Sequence, residues 1–152
     1  MTHLRKQVLG PWHKRLLYSA GAFLWLSGAV WLYFQYGVPA QEENLFQLHS
    51  IRAFLLKCHG AIAMVFLVVL GSVFYHIPPG WQKKSQRVSG VTLITVCGLL
   101  IMTGWGLYYL GNEQWRNSTS LIHSVVGLLL PAFIFIHVWK IVRQRKKVKQ
   151  TG

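Results

Sequence analysis

Four of the seven histidines in this 152-residue chain fall in or at the ends of long apolar runs, where an imidazole has little reason to be. The run Ser118 to Val142 contains no acidic residue and places His123 and His137 fourteen positions apart. At about 100° and 1.5 Å per residue, these two lie within roughly 40° of each other on one helix face and about 21 Å apart along its axis. Leu121 to Val142 gives 22 residues, enough to cross a hydrocarbon core of about 30 Å with one histidine near each boundary. A second pair, His59 and His76, brackets the apolar run from Cys58 to Ile77. Imidazoles at such depths need partners, and haem iron is one that takes neutral imidazole from two facing helices.

The elements that must position them follow from the composition. With 53% hydrophobic and 14% aromatic residues, the chain is too apolar for an ordinary soluble domain. Four segments are long enough to span a bilayer: residues 16–36, 58–77, 88–110 and 121–142. Almost nothing remains for a soluble domain. The expectation is therefore one transmembrane domain over residues 1–152, all-α, an integral membrane four-helix bundle running up-down-up-down. No small-residue cleavage site follows the first segment, where Tyr33-Phe34-Gln35-Tyr36 stands, so it reads as a retained helix.

Charge orients the bundle. The net charge of +13 is unevenly spread: the N-terminal lead, the connection around Lys83 to Arg87 and the tail from Lys140 to Lys149 hold 13 basic residues. The opposite side holds Arg52, Lys57 and Arg116 with all three acids, Glu42, Glu43 and Glu113. The positive-inside rule then puts both termini in the cytoplasm. Attraction to anionic lipid headgroups and topology account for the basic tail, so no nucleic-acid partner is expected. Cys58 and Cys97 form no Cys-x-x-Cys-His attachment, so haem would be bound non-covalently; as small apolar packing residues they need no further role.

In this topology helix two descends from His59 to His76 and helix four from His123 to His137. His59 then matches His123 in depth, and His76 matches His137. Two haems b, each held by two histidines, would leave no axial position for substrate, which is the chemistry of electron carriage. His59 and His76 share a face less well, being 17 residues and so about 100° apart, and His13, just before the first span, is an alternative to His76. His49 lies further out and reads as solvated or interfacial. Against this stands the reading that the histidines only pack and hydrogen-bond, as single membrane histidines often do. By depth, Arg52, Lys57 and Arg116 outside and Arg15, Lys140 and Arg143 inside are the cations available to haem propionates.

Small residues mark close approaches. Gly21 and Gly28 sit seven apart on helix one, open to a neighbouring helix or a flat cofactor, and Gly90, Gly98, Gly104 and Gly106 make helix three look like a closely packed wall. Leu45 to Arg52 reads as an interfacial turn or as an outward extension of helix two. Residues 111–120 read as a polar connection whose Asn112, Glu113, Asn117, Ser118 or Ser120 caps helix four.

Several stretches together resemble a family: Ser85-Gln86-Arg87-Val88-Ser89-Gly90, Met102-Thr103-Gly104-Trp105-Gly106-Leu107-Tyr108-Tyr109, Ser120-Leu121-Ile122-His123-Ser124-Val125-Val126-Gly127 and Ile136-His137. They look like small bacterial four-helix di-haem cytochromes b, and the cytochrome b subunits of formate dehydrogenases and nickel–iron hydrogenases are similar. The likeness runs from Leu16 onward, is best in helix four, and extends to Leu26-Ser27-Gly28. In those subunits a helix-one histidine ligates the cytoplasmic haem, which keeps His13 open, although the Lys14 and Arg15 that follow it depart from their pattern. The resemblance implies a bacterial inner membrane, and electron exchange between a quinone pool and a redox partner subunit or soluble electron-transfer protein.

The function expected is thus that of a b-type di-haem cytochrome, an anchor or redox-partner subunit without a catalytic site of its own. The competing readings are a histidine-lined transporter, weakened by the absence of any intramembrane carboxylate, and a non-haem assembly subunit.

Overall fold

The computed structural model describes residues 10–74 and 84–150. All of its regular structure among these residues is helical: α1 at Pro11–Leu32, α2 at Leu45–Phe74, α3 at Lys84–Tyr109 and α4 at Glu113–Gln150, with a π-helical turn at Tyr33–Gly37 and a 3₁₀ turn at Glu42–Asn44. Four stretches are long and apolar enough to cross a membrane, Pro11–Gly37, Glu42–Ser72, Arg87–Tyr109 and Glu113–Arg143. Their surfaces agree with that. Among the described residues only Leu48, Val69, Ser89 and Gly106 are buried, while Phe46, Val68, Val88, Phe135 and many other large apolar side chains face outward. In water such a surface would be costly, and in hydrocarbon it is not, provided that every backbone group is bonded within its own helix. Four apolar helices of this kind are compatible with a multi-pass membrane protein.

The helices outrun the expected spans because apolar length and helix length are set by different things. A hydrophobic run ends where the first charges appear, whereas the helix runs on until a breaker or a cap stops it. α2 begins at Leu45 rather than Cys58, so Leu45 to Arg52 is an N-terminal extension of the helix. Ahead of it, Gln41 and Asn44 form a reciprocal cap, with Gln41 N–H donating to Asn44 Oδ1 at 3.0 Å and Asn44 N–H to Gln41 O at 3.1 Å. Nothing between Leu45 and His59 breaks the backbone ladder. α4 likewise starts at Glu113, not at Leu121. Asn112 caps it, its Oδ1 accepting from Gln114 N–H at 3.0 Å and Trp115 N–H at 3.2 Å, so Asn117, Ser118 and Ser120 lie inside the helix. The connection from α3 shrinks to Leu110, Gly111 and Asn112. At 38 residues, α4 is about 57 Å long and exceeds any bilayer core. α1 starts at Pro11, five residues ahead of the expected span, with the proline in its first turn after Gly10.

The chain divides into two compact units, Met1–Pro79 and Gly80–Gly152. In the first, α1 packs on α2. As the α2 side of the contact advances from Arg52 through His59 to Phe66, the α1 side retreats from Phe34 through Gly28 to Gly21, so the pair is antiparallel. The steps are near seven residues, the spacing at which two helices keep one seam. In the second unit α3 packs on α4 in the same sense, Gly90 meeting His137, Leu100 meeting Gly127 and Gly104 meeting His123.

Arg52 ties off the end of α1. Its Nε donates to the carbonyl of Phe34 at 2.8 Å, and Nη2 donates to those of Gln35 at 3.1 Å and Val38 at 3.4 Å. A helix C-terminus leaves carbonyls without intrahelical donors, and a guanidinium there satisfies several at once and complements the negative end of the dipole. A Cβ at Gly37 would stand 3.0 Å from the exposed Tyr33 ring, which would have to give by a few tenths of an ångström to admit it.

Candidate functional site

Three of the four proposed ligands are described, and each is half-buried against a hydroxyl of the neighbouring helix. On α2, His59 Nδ1 is 2.9 Å from Ser27 Oγ of α1. On α4, His123 Nδ1 is 2.9 Å from Thr103 Oγ1 of α3, and His137 Nδ1 is 3.1 Å from Ser89 Oγ.

The glycine after each hydroxyl makes room for the ring. A Cβ on Gly28 would come within 3.1 Å of His59 Cε1, and one on Gly104 within 3.3 Å of His123 Cε1. At Gly90 the distance to His137 Cε1 would be 3.9 Å, an ordinary contact. The close approach predicted for Gly28 is therefore made by a neighbouring helix, through its histidine. Gly21 meets a ring too, that of Phe66 at 3.5 Å, whereas Gly98 has nothing within 4 Å, so the wall of α3 is close-packed at only some of its glycines.

Two of the three hydroxyls are themselves anchored. Ser27 donates to the carbonyl of Leu24 at 2.9 Å, and Thr103 donates to that of Leu99 at 2.7 Å, with Leu100 O at 3.2 Å as a second acceptor. A hydroxyl has one proton. When that proton goes to its own helix, the oxygen must accept from the imidazole, so Nδ1 carries the hydrogen and Nε2 the lone pair. This is the tautomer in which Nε2 can bind a metal, with Nδ1 held by an outer partner. Ser89, only 8% exposed, keeps the Oγ that faces His137 away from solvent.

His76, the expected fourth ligand, lies outside the described residues, as does Lys83 of the expected basic connection, whose Lys84 to Arg87 belong to α3. Its alternative, His13, stands exposed in the first turn of α1. His49 is exposed in the second turn of α2. Cys58 and Cys97 are both free, half-buried thiols. Among the described residues no three of His, Cys, Asp or Glu come together as a metal cage would require.

Of the cations expected near propionates, Arg52 is spent on backbone carbonyls. Arg15 lies over the Trp12 ring at 5.9 Å and Arg143 over the Trp139 ring at 5.8 Å. Lys140 borders a groove of about 180 Å³ between α3 and α4, with Ser89, Thr92, Phe133 and Ile136.

Two features carry more than the residue pattern alone revealed. Pro131 stands inside α4 between its two histidines and has no N–H to offer the Gly127 carbonyl, so the ladder is interrupted between them. The hydroxyl partners Ser27, Ser89 and Thr103 had a signal in the Ser/Thr-Gly dipeptide, which occurs three times inside the described helices and each time opposes a histidine. No family model, curated protein or solved structure matches the chain.

Proposed function

We propose that this chain is a membrane b-type di-haem cytochrome that carries electrons across or within the bacterial inner membrane, as an anchor or redox-partner subunit of a larger complex. The observation that carries this reading is the repeated setting of His59, His123 and His137, each bound through Nδ1 to a hydroxyl on the adjacent helix. A merely packed histidine needs no particular nitrogen engaged. Three with the same nitrogen engaged suit a common demand on the other one.

The donor set fits two non-covalent haems b: neutral imidazoles in apolar helices, with no attachment cysteines in use. In this reading His59 and His123 would hold the outer haem, and His137 the inner one with His76, or with His13 in its place. Haem supplies a one-electron iron couple. The chain's part is to hold the rings, fix their tautomer and exclude water with apolar helices.

The bundle would run up-down-up-down with both termini in the cytoplasm, as the concentration of Lys and Arg in the lead, the second connection and the tail supports. The partners in this reading are a redox partner subunit or soluble electron-transfer protein, membrane lipid around the helices, and quinone as a diffusible electron carrier. The test is a reduced-minus-oxidised spectrum of the protein purified in detergent, with a pyridine haemochrome count. Two haems b per chain are expected, and protein from haem-replete cells that contains none would sink the reading.

A further inference from the structure

We propose that Ser27, Thr103 and Ser89 are positioning residues that set the tautomer, ring orientation and donor strength of His59, His123 and His137 toward iron. This rests on the di-haem reading and adds to it a mechanism by which the protein adjusts each iron.

Each module has the same parts on two antiparallel helices. A hydroxyl on one helix meets Nδ1 of a histidine on the other at 2.9 Å for Ser27, 2.9 Å for Thr103 and 3.1 Å for Ser89. The following glycine lets that helix come close enough for the bond to form, since Cβ atoms at Gly28 and Gly104 would stand only 3.1 and 3.3 Å from the rings. For Ser27 and Thr103 the chain continues to a backbone carbonyl, at 2.9 Å to Leu24 O and 2.7 Å to Leu99 O. The direction of the chain is then set at its far end, because a carbonyl can only accept. Nδ1–H donates to the hydroxyl oxygen, and the hydroxyl donates to the helix. An acceptor on Nδ1–H withdraws that proton slightly and makes Nε2 a stronger donor, which favours ferric over ferrous iron. Hydroxyls in a membrane helix have an alternative in bonding only to their own turn. Here the same oxygens also reach across to a ring, and all three described ligand candidates have one.

Removing the hydroxyl should therefore raise the midpoint potential of the haem concerned, and restoring it should bring the potential back. The experiment uses the full chain in detergent, with haem counted by pyridine haemochrome and potentials read by spectroscopic redox titration. Thr103→Val, Ser27→Ala and Ser89→Ala are compared with the unaltered protein and with Thr103→Ser, which keeps the oxygen. Thr103→Val and Ser27→Ala are expected to raise the same haem, and Ser89→Ala the other, while Thr103→Ser titrates as the unaltered protein does. Looser ligation should also weaken haem retention by about 10–100-fold in the hydroxyl-free variants. Should Thr103→Val lose its haem outright, recovery in Thr103→Ser supports the hydroxyl's role, and equal loss there overturns it. Two haems with unmoved potentials and undiminished retention in all three variants would overturn this inference and leave the di-haem reading standing. An unaltered protein with no haem would remove both.

Discussion

Thr103 Oγ1 lies 2.9 Å from His123 Nδ1 while bonded to the carbonyl of Leu99 at 2.7 Å, so one hydroxyl joins the backbone of α3 to an imidazole of α4. The link runs between residues 20 apart in sequence and ties the pair of helices together at the point where the candidate ligand sits.

The two histidines of α4 should be separable. His123→Ala is expected to remove the outer haem and leave the inner one, and His137→Ala to do the reverse. A haemochrome count of one per chain in each variant, with different residual spectra, is the check. Two haems retained in both variants would contradict the ligand assignment.

The inner partner is decided by a paired comparison. His76→Ala should lose the inner haem and His13→Ala should keep it, since His13 is exposed in the first turn of α1. The opposite result would transfer the ligand role to His13.

Glycines should differ sharply with their surroundings. Gly28→Ala forces a methyl within 3.1 Å of His59 Cε1, and displacing a ring held by Ser27 should cost about 1–3 kcal/mol and loosen haem binding. Gly98→Ala meets nothing within 4 Å and should be neutral, or stabilising by up to about 1 kcal/mol through helix propensity. Thermal unfolding in detergent, followed by circular dichroism, separates the two.

Arg52 should matter for stability and not for haem content. Arg52→Ala leaves the carbonyls of Phe34, Gln35 and Val38 without their donor and should destabilise the chain by about 1.5–3 kcal/mol. Arg52→Lys, with one ammonium in place of a fork, should fall between. Denaturant titration of the purified protein measures both, and a fall in haem count at full helicity would instead give Arg52 a direct part in the site.

The sequence by itself determined that the chain is helical and apolar enough to cross a membrane four times, because span length and hydrophobicity are properties of contiguous residues. It also placed histidines near the ends of those runs, since position along a helix follows from counting. It did not determine where the helices end. Gln41 with Asn44, and Asn112, set those limits by bonding to backbone groups that hydropathy does not register. Nor did it reveal what each histidine touches. Ser27 and His59 are 32 residues apart and Ser89 and His137 are 48, so their meeting depends on the register of one helix against another. Arg52 shows the same division: its depth made it a candidate for a propionate, and only the packing of α2 on α1 delivered it to three carbonyls. Register is decided by which side chains interlock and where glycine permits close approach, and those are properties of the paired helices rather than of either one.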